Sequence, residues 1–249
     1  MMNPAEFANI ANAEQHLWWY RGMNRILFRL LDPIARQHSF HRVLEAGCGT
    51  GYLSKLLHER YRWPMVPVDL GREGLALARD MGVPRLAQAD IAALPFADAA
   101  FDAVVSMDVL VHFPRGQEGR AMSEMARVLA KGGLFAIRVS ALDVLRSRHS
   151  QFAHERQRFT RGRLRALAES SGIRVERCTY ANTLLLPVAL AKFRIVEPLL
   201  RKAPASGVEP VHPLLDAVLH APLALEAGWL GRGRNLPVGQ SLILIGRRT

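Results

Sequence analysis

An α/β protein, with a parallel sheet covered by helices on both faces, is predicted by three features. Short apolar runs of strand length alternate with stretches of helical periodicity. A glycine-rich turn, Gly47 to Gly51, joins the first such run to a helix. The 249 residues are 49% apolar and 22% charged, which suits a buried core and excludes disordered or collagen-like chains.

The elements follow in order. Met23, Ile26, Leu27, Leu30, Leu31 and Ile34 recur at three- and four-residue spacing and predict an amphipathic helix over about 14–37. A strand over 42–46 breaks at the glycines and opens a helix over 50–61. Next come a strand at 65–68, a helix at 72–82 and a weaker strand at 85–89. Residues 101–107 are nearly all apolar, as in a strand buried on both faces. Ala121, Met122, Met125, Val128 and Leu129 predict a helix stopped by Gly132 and Gly133, followed by a strand at 134–139. Thr160 reads as the N-cap of a helix closed by Gly172, with strands at 173–180 and 241–245 beyond. The intervening 182–238 stretch predicts helices at about 184–200 and 214–230, joined by a linker over 202–213. Three parts are expected: an N-terminal helical cap (1–39), a core (40–181 with 239–249), and a helical insertion (182–238) serving as acceptor lid or oligomer contact.

Cys48 and Cys178 cannot make a disulfide framework. The start lacks a basic head and an apolar stretch, and no apolar run approaches the roughly 20 residues of a bilayer crossing. A cytoplasmic protein without a transmembrane segment is expected. The formal charge of +11 can attract polyanions, but 29 of the 33 basic residues are arginine, a bias that can come from genome composition. The densest stretch, 146–165, holds seven arginines and one acid, Glu155, without aromatic interleaving. A solvated surface is the expectation there, and nucleic acid is not the expected partner.

The turn after the first strand is the most informative sequence. Glycines allow tight turning and close approach of a ligand to the backbone, and in an open parallel sheet this turn sits at the ligand-binding edge. A dinucleotide fingerprint needs glycine where Tyr52 stands. Glu45, at the strand end, is a poor neighbour for pyrophosphate but suits an amino group. Asp69 stands 18 residues after Gly51, where a carboxylate accepts from ribose hydroxyls. The ligand implied contains a ribose and a cationic end.

EAGCGTG at Glu45, VDLG around Asp69, QADIAALPF around Asp90, FDAVVSMDVLVHF and RVLAKGGLFAI together resemble the class I S-adenosylmethionine-dependent methyltransferases over roughly residues 40–140. The resemblance implies a Rossmann-like, seven-stranded, mostly parallel sheet with the last strand antiparallel. It also implies S-adenosylmethionine as cofactor. Gly47 and Gly49 would let the methionine portion lie on the backbone, and Glu45 would face its ammonium. Asp69 would hold the ribose and Leu70 pack on the adenine. Asp90 and the Ile91 N–H would read the adenine edge, and Met107 would line the floor near the sulfonium. HLWWYRGMNRILFRLL, at 16–31, resembles the N-terminal helix of small-molecule methyltransferases, making Trp19, Tyr20 and Arg21 candidates to cover the cofactor.

Methyl transfer from a sulfonium needs alignment and dryness, and a base only when the acceptor must lose a proton. His112, just past the fourth strand, is the candidate base. Cys48 is not expected to be catalytic. The histidines and cysteines are scattered, so no metal is expected, and a serine hydrolase elbow is missing. The expected reaction is methylation at oxygen or nitrogen of a small or medium organic acceptor, of specialised-metabolite type and possible lipophilic character, by a monomer or homodimer. Asn182 and Tyr180 are candidates for the pocket entrance. The alternatives are RNA methylation using 146–165 as a phosphate clamp, and a non-catalytic cofactor-binding partner.

Overall fold

The computed structural model describes residues 2–200, 203–209 and 211–249. Its seven strands are β1 (Val43–Ala46), β2 (Met65–Asp69), β3 (Ala87–Gln88), β4 (Phe101–Met107), β5 (Leu129–Ser140), β6 (Ile173–Ala181) and β7 (Ser241–Arg248). They form one sheet in the order β3-β2-β1-β4-β5-β7-β6. The first five strands pair in parallel, and β7 runs antiparallel between β5 and β6, as the resemblance implied.

The sheet is buried on both faces, with alternate residues of each strand feeding opposite cores. Leu44, Val104, Phe135 and Ile137 point to one side, where α5 (Glu118–Val128) and α7 (Arg161–Ser170) cover them with Met122, Met125 and Leu164. Val43, Val105, Leu134 and Ile243 point to the other, against α2 (Trp18–Gln37) and α3 (Tyr52–Tyr61). Here α10 (Pro213–Gly231) packs along α2, with Leu223, Ala227 and Leu230 fully buried beside Met23, Ile26 and Leu27. A Cβ on Gly22 would lie 2.3 Å from Leu223 Cδ1, so that glycine sets how closely the two helices approach.

Several boundaries differ from expectation. The helix expected from residue 14 is preceded by another, α1 (Pro4–Ala13), which Asn3 caps by accepting from the Ala5 N–H. Only Phe7 and Ala13 give α1 buried apolar side chains, too few for a legible period. The helix before β5 ends at Val128, so β5 begins at Leu129 and runs through Gly132 and Gly133, which do not act as a helix stop. Strand β3 is shorter than predicted because Arg85 adopts a positive φ of 58°. A short α6 (Arg148–Phe152), with Ser147 and Ser150 forming a capping box, was not expected. The helix predicted over 184–200 is broken into α8 (Leu186–Ala191), a π turn (Lys192–Val196) and α9 (Glu197–Leu200). The expected linker has no regular structure over 203–209; Lys202 and Pro210 of that stretch lie outside the described residues.

Candidate active site

A cavity of about 1150 Å³ opens at the carboxyl edge of the sheet, above β1, β2, β4 and β5. It exceeds the roughly 300–1,000 Å³ of ordinary small-molecule pockets. Two reactants of moderate size can share it.

The glycine turn forms its floor. Gly47 N–H and Cys48 N–H donate to the Val68 carbonyl at 2.9 and 2.8 Å, tying the turn to β2. Gly47 and Gly49 have φ of +84° and +55°, the left-handed region that favours glycine. Their surroundings differ. A Cβ on Gly47 would meet Val109 Cγ2 at 2.3 Å, so this glycine serves packing rather than ligand approach. A Cβ on Gly49 would find only Phe7 Cε1, at 4.0 Å, leaving its backbone accessible. Asp69 braces the turn: Oδ2 accepts from the Gly49 N–H at 2.8 Å and Oδ1 from the Gly71 N–H at 2.7 Å. Each oxygen retains a lone pair for a further donor. Burial raises the Asp69 pKa, and the Gly71 and Gly49 N–H groups oppose that rise.

Glu45 is 2% exposed, and its Oε2 accepts from Ser54 Oγ at the start of α3. Burial pushes its carboxyl up to about 8, with the Ser54 hydrogen bond pulling the other way. Glu14, which sequence reasoning missed, approaches from the turn between α1 and α2. Its Oε2 accepts from Thr50 Oγ1 at 2.6 Å, while its buried Oε1 has no partner among the described residues. Burial raises this carboxyl to about 7. No local pattern around residue 14 announces this, because Thr50 lies 36 positions away. Two carboxyls are thus buried on the cavity floor, each held above its ordinary range by burial.

Leu70, Asp90 and Ile91 line the outer part of the cavity. Leu70 is 40% exposed, an apolar side chain left open to the cavity. Asp90 Oδ1 accepts from the Ala92 N–H at 2.9 Å, forming an Asx turn that presents its carboxylate. Met107 lies at the inner end, where β4 stops.

Beyond Met107 the lining changes. Asp108 has a φ of +60°, strained for a residue with a side chain. Its N–H donates to the Arg138 carbonyl at 2.8 Å, and its Oδ2 accepts from Arg138 Nε at 2.9 Å and Nη2 at 2.7 Å. The Trp19 ring covers that guanidinium at 5.0 Å and meets Tyr20 edge-on. Tyr20 lines the same cavity, and burial with Glu6 and Glu14 nearby raises its phenol pKa. An arginine inside the apolar strand LFAIRVS was a legible signal, missed together with Asp108. Asn182 is 1% exposed and lines the cavity, its Oδ1 without a partner among the described residues.

His112 lines this end too. Its Nδ1 lies 3.3 Å from the His154 carbonyl, which can only accept, so Nδ1 carries the proton and Nε2 keeps its lone pair. Burial pushes the imidazole down to about 4, against the raising effect of that carbonyl.

Two sequence expectations need correction. Arg21 does not face the cofactor cleft. On α2 it stands about 200° around the axis from Trp19, and it pairs with Asp216 of α10 on the outer surface. Tyr180 is not at the entrance: its hydroxyl accepts from the Arg161 N–H at 3.4 Å beneath the Arg161 guanidinium. Cys48 is buried with its thiol pKa raised by burial, consistent with a packing role.

The chain matches a family described as "Methyltransferase domain" over residues 44–137. It is 34% identical over 122 residues to methyltransferase GfsG of Streptomyces halstedii, covering 46% of this chain and 42% of that one. It is 37% identical over 102 residues to probable tRNA methyltransferase 9B of Homo sapiens, covering 41% and 22%. The chain thus spans half or less of the length of these curated relatives. Among solved structures, phosphoethanolamine N-methyltransferase 2 of Haemonchus contortus, in complex with S-adenosyl-L-methionine, has the same fold. It has a TM-score of 0.57 at 17% identity and covers 92% of this chain and 52% of that one.

Residues 44–137 match a methyltransferase domain, and the strand order and glycine turn around them are those of a class I S-adenosylmethionine-dependent methyltransferase fold. The residues present fit the family's cofactor. The open Gly49 backbone, the exposed Leu70 and the unpartnered Glu14 oxygen offer surfaces for a flat base, a nucleoside and a cationic amino acid end.

Proposed function

We propose that this protein transfers a methyl group from S-adenosylmethionine to an oxygen or nitrogen of a small or medium organic acceptor. The observation that carries this is the continuity of one cavity from the cation-receiving carboxyls to the neutral, lone-pair-bearing His112. Glu45 and Glu14 would hold the cofactor's ammonium, Asp69 its ribose, and Leu70, Asp90 and Ile91 its adenine. Once bound, the cofactor supplies a methyl activated by a positive sulfur for in-line displacement. The residues of the chain then align the acceptor and exclude water. His112 Nε2 would accept the proton of a hydroxyl acceptor as the new bond to the methyl forms and the methyl–sulfur bond breaks, or remove the proton of an ammonium acceptor beforehand so that its freed lone pair can attack. The Asp108–Arg138 pair, pinned under Trp19, would hold the acceptor wall rigid. Leu185, Phe193 and Leu219, from the insertion, supply apolar lining suited to a lipophilic acceptor.

RNA methylation would use the 146–165 arginines, and a tRNA methyltransferase name among the relatives raises that reading. The side-chain pairings weigh against it. Arg158 pairs with Glu155, Arg163 with Glu118 and Arg165 with Glu169. Arg146, Arg148 and Arg161 donate to the carbonyls of Arg156, Ala203 and Leu236. A segment so occupied with its own fold is a poor phosphate clamp. Calorimetric titration with S-adenosylhomocysteine, followed by turnover on a panel of hydroxylated and amino acceptors, tests the proposal. Absence of binding overturns it.

A further inference from the structure

We infer that the outer face of α10 and the π turn–α9 segment docks on an anionic lipid surface. Helix α10 is apolar on nearly every side. Leu223, Ala227 and Leu230 bury one side against α2, and Leu215 and Leu219 line the cavity. A third side remains: Leu214, Val218, Leu225 and Trp229 are 73%, 66%, 68% and 42% exposed and do not line the cavity. At 3.6 residues per turn these four fall within about 60° of arc, a single stripe. On the preceding segment, Ile195 and Leu199 are 59% and 76% exposed, also outside the cavity. An unbroken apolar stripe of this kind on a water-facing helix calls for a partner.

Charge selects the partner. Lys192 and Arg194 flank Phe193 next to Ile195 in the chain, and Arg232 and Arg234 follow Trp229; all four are exposed, and none is in an ion pair among the described residues. The Arg234 guanidinium lies 4.4 Å over the Trp229 ring, joining a basic group to an aromatic of the stripe. The nearby acids are occupied: Asp216 pairs with Arg21, and Glu226 accepts from the Thr183 and Leu184 N–H groups at 2.7 Å. Apolar side chains rimmed by free cations match an interface with negative headgroups. A second copy of the chain would bring like charges together across a two-fold contact. No helix among the described residues is long and apolar enough to cross a membrane, so the element lies on the surface.

Vesicle flotation tests this, using the intact chain without cofactor, so the result stands apart from the methyltransferase reading. The protein should float with phosphatidylcholine–phosphatidylglycerol vesicles more than with phosphatidylcholine alone, and raised salt should weaken that association. The double variant Leu214→Glu/Val218→Glu should lower partitioning at least about tenfold, and Arg194→Glu/Arg234→Glu should abolish the preference for phosphatidylglycerol. Circular dichroism and S-adenosylhomocysteine affinity should stay unchanged in both, since all four side chains are exposed and lie outside the cavity. Overturning results are failure to float, equal flotation of the apolar double variant, or a light-scattering dimer that this variant dissolves.

Discussion

Replacing Glu45 with Gln should stabilise the empty protein and weaken the bound one. A carboxyl held at about 8 rather than its ordinary 4.5 is mostly protonated at pH 7. Because the folded value lies above the unfolded one, stability is fully present below pH 4.5 and declines as pH rises toward about 8. Integrated to pH 7, the penalty is about 3 kcal/mol, and Glu45→Gln, which cannot ionise, should recover much of it. An ammonium beside Glu45 reverses the balance by favouring the carboxylate, so binding should expel the proton. Calorimetry of S-adenosylhomocysteine at pH 7, in buffers of different ionisation enthalpy, should report release of about one proton or more per site, the larger share from Glu45 and the rest from Glu14. Affinity should rise about tenfold or more per pH unit between 6 and 7 and level off above about 8. Glu45→Gln should remove most of that slope and cost about 1.5–3 kcal/mol of affinity at pH 8. A binding enthalpy independent of buffer, together with a flat pH dependence, would refute the assignment of Glu45 to the ammonium.

Asp69→Ala should lower S-adenosylhomocysteine affinity by about 1–3 kcal/mol, because it removes the proposed ribose acceptor and frees two braced N–H groups; unchanged calorimetric affinity removes Asp69 from that role. His112→Ala should reduce kcat roughly 10²-fold with cofactor affinity intact. With its imidazole near 4, His112 is neutral above about pH 5, so its protonation should leave the wild-type rate flat there and lower it as pH falls through about 4, which a pH–rate profile checks. Gly22→Val should wedge α2 from α10 and cost about 1–3 kcal/mol, read as a lower midpoint in urea. Removing 182–238 should unfold the protein rather than spare cofactor binding, since Leu223, Ala227 and Leu230 belong to the core; a cooperative thermal transition in the truncated chain would contradict this.

Local signals determined much of this protein from sequence. The strand-glycine-helix turn at Val43 to Leu57 and the carboxylate closing β2 are short-range features, because backbone conformation at Gly47 and Gly49 depends on the residues themselves. The succession of strands along the chain and the family resemblance followed from such pieces in series. Helix α1 escaped because its buried apolar side chains are too few for a visible period. Arg21 was misplaced because adjacency to Trp19 in sequence puts it on another helix face.

What only the tertiary structure decided is which distant side chains meet. Glu14 reaches Thr50, Asp108 reaches Arg138, and α10 reaches α2, each across a separation that no local pattern encodes. Their consequences are also tertiary. Glu45 was legible as a carboxylate, but its elevated proton affinity comes from the walls that exclude water around it. Burial is a property of the assembled core, and electrostatics in a dry site follows burial rather than residue type.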